Sequence, residues 1–133
     1  MTVTFTLNGQ PVSFDIPPEK RLVDVLREEF SFKEIRPGCY SGTCGTCTVF
    51  INGELCYSCL VPIFAVQDAE VLTYEGLESS PDFEDVLAGF DAAGCRPCAN
   101  CRQSYLLSTY ALLALHPVPG RDEIDDFLGG RQC

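Results

Sequence analysis

The chain has 133 residues, nine of them cysteine, with nine basic against nineteen acidic side chains and a formal charge of −10. That length holds one ordinary domain or two very small ones. A hydrophobic content of 46% excludes a disordered chain, and the acidity argues against nucleic acid, which needs basic patches. The longest apolar stretch, residues 105–115, is too short to span a bilayer. Met1 to Ile16 alternates like a strand and lacks the basic start and apolar run of a secretory signal. A soluble, cytoplasmic protein is therefore expected, its acidity serving solubility or a docking face for a basic partner. In that setting so many cysteines read as metal ligands rather than disulfides.

In chain order, Val3, Phe5 and Leu7 alternate with threonines, Asn8-Gly9 follows, and Val12, Phe14 and Ile16 alternate again. This is a hairpin around an Asn-Gly turn, ended by Pro17-Pro18. Leu22, Val25, Leu26 and Phe30 fall at helical spacing and predict an amphipathic helix over 19–30. A loop rich in glycine and cysteine runs from Pro37 to Cys47. A second hairpin follows, with strands at 48–51 and 55–57 around Asn52-Gly53. Apolar runs at 61–66 and 71–74 read as short strands. The character changes near Gly76. Ser80-Pro81 is a helix start with serine at the cap and proline at the first position, and Phe83, Val86, Leu87 and Phe90 continue at helical spacing. A helix over 103–115 stops at His116-Pro117, and one over 122–128 ends at Gly129-Gly130. The expected division is residues 1–75, mixed and strand-rich, and residues 76–133, helical.

Cys39, Cys44, Cys47 and Cys59 are spaced C-x4-C-x2-C-x11-C. The first three match the plant-type 2Fe–2S ferredoxin spacing, with a fourth ligand farther along. A short loop wraps a cluster only if its backbone bends tightly, and Gly38, Gly42 and Gly45 permit this. They also let backbone N–H groups approach the sulfurs, which raises the reduction potential. A structural zinc site is the alternative, but zinc sites pair short knuckles and do not use this spacing. Cys56 reads as a small buried strand residue.

The run Gly38-Cys39-Tyr40-Ser41-Gly42-Thr43-Cys44-Gly45-Thr46-Cys47-Thr48-Val49, with Asn52-Gly53 and Ser58-Cys59-Leu60, resembles the small iron–sulfur subunit of the xanthine dehydrogenase (molybdenum hydroxylase) family. Arg21 to Arg27 is similar to that family's first helix, and His116-Pro117, Glu123-Ile124 and Leu128-Gly129 keep its rhythm. The resemblance implies an α+β chain: an N-terminal β-grasp (plant-type ferredoxin-like) domain, then a small all-α domain with its own cluster. It implies electrons passing from a molybdopterin centre in a large subunit, through the helical-domain cluster and then the ferredoxin-domain cluster, to FAD in another subunit. FAD and molybdopterin belong to the partners. This chain has no dinucleotide fingerprint, phosphate loop or Ser-His-Asp set of its own.

The second cysteine group departs from the family pattern, Gln-Cys-Gly-Phe/Tyr-Cys-Thr-Pro-Gly and later Cys-Arg-Cys. Here Cys95 and Cys98 map directly, Cys101 stands where the family has glycine, and one terminal cysteine, Cys133, remains. The ligand set becomes Cys95, Cys98, Cys101 and Cys133. The C-x2-C-x2-C spacing favours a 4Fe–4S cluster, the scaffold a 2Fe–2S cluster; the expectation follows the spacing, with the two-iron cluster, zinc or an empty site as alternatives. Gly94 replaces the family's pterin-contacting glutamine. The family's Thr-Gly-Tyr and closing helix do not follow Cys133, which leaves a terminal ligand prone to fraying.

His116 reads as a helix-end residue rather than a ligand. Arg96 and Arg102 flank the second group and either offset an anionic cluster or face solvent. Tyr105 and Tyr110 read as packing. The leading expectation is the electron-transfer subunit of a hetero-oligomeric oxidoreductase, with no substrate site, no nucleic acid and no membrane. A free-standing two-cluster ferredoxin and a zinc-binding structural or assembly subunit are the alternatives.

Overall fold

A computed structural model of the chain describes residues 1–32, 35, 40–41, 45–78, 80–98 and 101–128. The N-terminal hairpin pairs β1 (Thr2–Leu7) with β2 (Gln10–Asp15), in register from Thr2 opposite Asp15 to Leu7 opposite Gln10. Asn8 and Gly9 at its tip both have positive φ, 51° and 83°, the two-residue turn that matches strand twist. Alternation puts Val3, Phe5 and Leu7 in the core.

Helix α1 runs Leu22–Phe30 and buries Leu22, Val23, Val25 and Leu26. It starts three residues later than its apolar spacing predicts. Lys20 N–H bonds back to Pro17 O at 3.1 Å, and Arg21 stays extended with ψ 141° in a bridge to Pro62. The diproline thus feeds a turn, and the extended Arg21 delays the first helical residue. Ser31, left-handed at φ 56°, ends the helix.

β3 (Thr48–Ile51) and β4 (Glu54–Tyr57) form the second Asn-Gly hairpin. The apolar stretch after it is not a strand. Residues 58–60 and 63–66 form two 3-10 turns. Pro62 has no N–H for a ladder, and the surrounding backbone serves α1 instead: Leu22 N–H bonds to Val61 O and Ile63 N–H to Lys20 O. β5 (Glu70–Leu72) then enters the middle of the sheet, parallel to β1 and antiparallel to β3. The order β2-β1-β5-β3-β4 with α1 packed on the sheet is the β-grasp arrangement, and the chain is α+β.

A short helix, α2 (Tyr74–Leu77), crosses the point where the sequence changes character. α3 (Pro81–Ala92) is capped by Ser80, whose Oγ accepts the Phe83 N–H at 3.3 Å. α4 (Arg102–Leu115) and α5 (Arg121–Leu128) follow. α5 buries none of its residues. Two apolar cores result. One lies among the sheet, α1 and the 63–66 turn. The other gathers Phe50 of β3 with Tyr74, Leu77, Phe83, Val86, Leu106 and Leu107, so β3 joins the helical half to the sheet. No helix among the described residues is long and apolar enough to cross a membrane.

Candidate metal centres

The β3–β4 hairpin sets the first centre. Its open end pairs Thr48 with Tyr57, which brings Cys47, just before β3, beside Cys59, just after β4. Both are buried, at 1% and 2% exposure. Ser58 clamps the junction: its N–H and its hydroxyl both donate to Cys47 O, at 3.2 and 2.6 Å. The Cys59 N–H points at Cys47 Sγ, 3.4 Å away. Burial pushes the Cys47 thiol up to about 12, against the pull of that N–H. A thiolate here is disfavoured until a nearby positive charge compensates it, and a metal ion is such a charge.

The loop leading into Cys47 is fastened on several sides. Gly45 takes φ 74°, a conformation glycine adopts without strain. Gly45 O accepts from Thr48 through both N–H and hydroxyl. Upstream, the Tyr40 hydroxyl donates to Asp24 of α1 at 2.9 Å, and the Arg21 guanidinium lies 4.7 Å from the Tyr40 ring centre. Cys39 and Cys44, with Gly38 and Gly42, lie outside the described residues.

The second group lies between α3 and α4. Gly94, at φ 68°, closes α3: its N–H bonds to Asp91 O and that of Cys95 to Phe90 O, both at 3.0 Å. This paired closure is a Schellman cap, and it places Cys95 on the surface. Cys98 is exposed and Cys101 buried. Cys98 O receives the N–H groups of Cys101 and Arg102 at 3.2 and 2.9 Å, which ties Cys98 to the start of α4. The two sulfurs stand 3.4 Å apart. Cys133 lies outside the described residues. Among the described residues no three metal-ligating side chains converge, so Cys95 is not gathered with Cys98 and Cys101.

The remaining candidates take ordinary roles. Arg96 reaches Asp91 at 3.6 Å on the surface, and Arg102 lies 5.9 Å from the Tyr74 ring centre. His116 caps α4 and faces Glu123 at 3.7 Å. Tyr110 packs edge-on against Phe50 and Phe83. Cys56 is half-buried on β4, opposite Val49, and burial followed by the Glu54 charge raises its thiol.

Sequence reasoning passed over Gln103. It is buried at 1% exposure, and its amide donates to Thr46 O at 2.6 Å. Its only signal was a lone amide inside an apolar helix. The neighbouring Ser104 hydroxyl is fully buried with no partner among the described residues.

These residues fit iron–sulfur chemistry. Two buried thiols share one hydrogen-bonded corner, and a second thiol pair lies in contact. The model of the 2Fe-2S iron-sulfur cluster binding domain matches residues 5–75, over half the chain. The small FeS subunit of nicotinate dehydrogenase from Eubacterium barkeri is 32% identical over 133 residues, covering 100% of this chain and 85% of that one.

The chain belongs to the iron–sulfur small subunits of the molybdenum hydroxylase family.

Other members of the family agree. Isoquinoline 1-oxidoreductase subunit alpha from Brevundimonas diminuta is 33% identical over 132 residues, covering 98% of this chain and 86% of its own. The structure of quinoline 2-oxidoreductase from Pseudomonas putida 86 superposes with a TM-score of 0.86 at 31% identity, over 100% of this chain and 82% of that one. The first two relatives are named as subunits of a dehydrogenase and an oxidoreductase, and this chain is an iron–sulfur subunit of the same family.

Proposed function

We propose that this chain carries electrons through two clusters in a hetero-oligomeric, cytoplasmic oxidoreductase, from a molybdopterin-type subunit to an FAD subunit. Residues 1–75 and 76–133 are then two cluster-bearing units. Cys39, Cys44, Cys47 and Cys59 would hold a 2Fe–2S cluster, and Cys95, Cys98, Cys101 and Cys133 the second. Bound clusters supply one-electron transfer; the chain supplies position, burial and hydrogen bonds. The observation that carries the reading is the buried Cys47–Cys59 corner, with a backbone N–H on a sulfur. Such bonds stabilise negative charge on the sulfur.

Cys98 and Cys101, whose thiols touch at 3.4 Å, would both ligate the second cluster; the C-x2-C-x2-C spacing favours four irons there, with the two-iron cluster as the alternative. Iron and sulfide counting on the purified chain tests this. Six irons per chain are expected; four would favour the two-iron alternative, and a colourless zinc protein would end the electron-transfer reading. Sizing of the native assembly tests the rest: a stable monomer would favour a free-standing ferredoxin.

A further inference from the structure

We infer that Gln103 is a positioning residue for the first centre, reaching from α4 to set the electrostatics of the loop that holds Cys47. The inference rests on reading Cys47 as a cluster ligand. Three consecutive carbonyls of that loop are each fixed by a different donor: Gly45 O by Thr48, Thr46 O by Gln103, and Cys47 O by Ser58. Thr48 and Ser58 belong to the hairpin that follows. Gln103 is the exception, coming from 57 residues farther along the chain.

The consequence follows from peptide geometry. A trans peptide is planar, with its C=O and N–H pointing opposite ways. Holding Thr46 O toward Gln103 therefore holds the Cys47 N–H pointing the opposite way and fixes its direction in the loop that carries this ligand. A donor on the carbonyl also polarises the peptide and leaves its N–H more positive. Both effects favour added negative charge at the centre, so the Gln103 amide raises the first cluster's reduction potential. The side chain is fully buried, so water cannot replace the bond when it is lost. Gln103 also stands two residues beyond Cys101 in the same turn of α4. The first turn of that helix is thereby fastened to the first centre.

The test is an EPR-monitored redox titration of the cluster-loaded full chain, comparing wild type with Gln103→Met and Gln103→Glu. At a fixed potential, the reduced-to-oxidised ratio of the first cluster is expected to fall roughly five-fold in Gln103→Met. In Gln103→Glu the buried carboxyl is protonated and its O–H replaces the amide as donor to Thr46 O, so the ratio stays nearer to wild type than in Gln103→Met. Iron content and far-UV circular dichroism stay at wild-type values. Gln103→Asn, too short to make the contact but close to native in polarity, serves if Gln103→Met does not retain iron, and the ratio falls there too. Unchanged ratios in Gln103→Met and Gln103→Asn with the cluster bound would overturn the proposal. So would loss of iron in all three variants, since the side chain would then hold the fold rather than tune the centre. A wild-type chain without a two-iron spectrum would overturn it together with the reading of Cys47 beneath it.

Discussion

Ser58 donates twice to the carbonyl of Cys47, from its backbone N–H and from its hydroxyl. The two residues are 11 apart in sequence and are joined across the open end of the β3–β4 hairpin. Ser58→Ala removes the shorter bond and leaves the other. A loss of about 1 kcal/mol is expected in urea unfolding, together with faster bleaching of the visible cluster absorption in the presence of a chelator.

Cys47→Ser removes a proposed ligand from the more buried corner. The EPR signal of the first cluster is expected to vanish while the second remains detectable. Loss of both signals with collapse of the far-UV spectrum would mean global unfolding and not ligand loss.

Gly76 lies in α2 directly against the Asn8 side chain, with no room for a Cβ. That side chain bonds twice to Thr73, accepting its N–H at 2.9 Å and donating to its hydroxyl at 3.0 Å. Gly76→Ala pushes Asn8 aside and strains both bonds. A cost of about 1–3 kcal/mol is expected, read as a lower midpoint in chemical denaturation.

Phe83 is fully buried in the second core, edge-on to both Tyr74 and Tyr110. Phe83→Ala opens a cavity where α3 and α4 meet β3. About 3–5 kcal/mol is expected to be lost, measurable by thermal unfolding, whereas Leu113→Ala, on the partly exposed side of α4, costs much less.

The fold was legible where local chemistry decides. Both Asn-Gly turns, the alternation of β1 and the Ser80 cap are short-range devices, and each stands where the residues place it. The segment 58–66 was not legible, because a short apolar run has no distinguishing period. Its form is decided by contacts with Lys20 and Leu22, some 40 residues away. α2 was missed for a related reason: four residues carry no periodicity, and its first residue, Tyr74, is held by packing on Phe83. At the first centre, spacing named Cys47 and Cys59, and the structure places them side by side. At the second, spacing named three described cysteines but not which two would meet. Gln103 was invisible because its partner, Thr46, is distant in sequence and offers only a backbone carbonyl.

The parallel pairing of β1 with β5 has a consequence for how the chain is made. Thr6 and Leu7 meet Glu70 and Val71, so one edge of the first hairpin stays open until synthesis has passed the whole cysteine loop and the second hairpin. At about 5–20 residues per second that interval lasts on the order of several seconds. Through it, an unpaired strand edge is available to another nascent chain. Thr4 and Thr6 alternate with the buried side chains along β1, and the sheet is completed only when a three-residue strand slides into its centre. The closing of the sheet, and with it the burial of Cys47 and Cys59, is a late and long-range event.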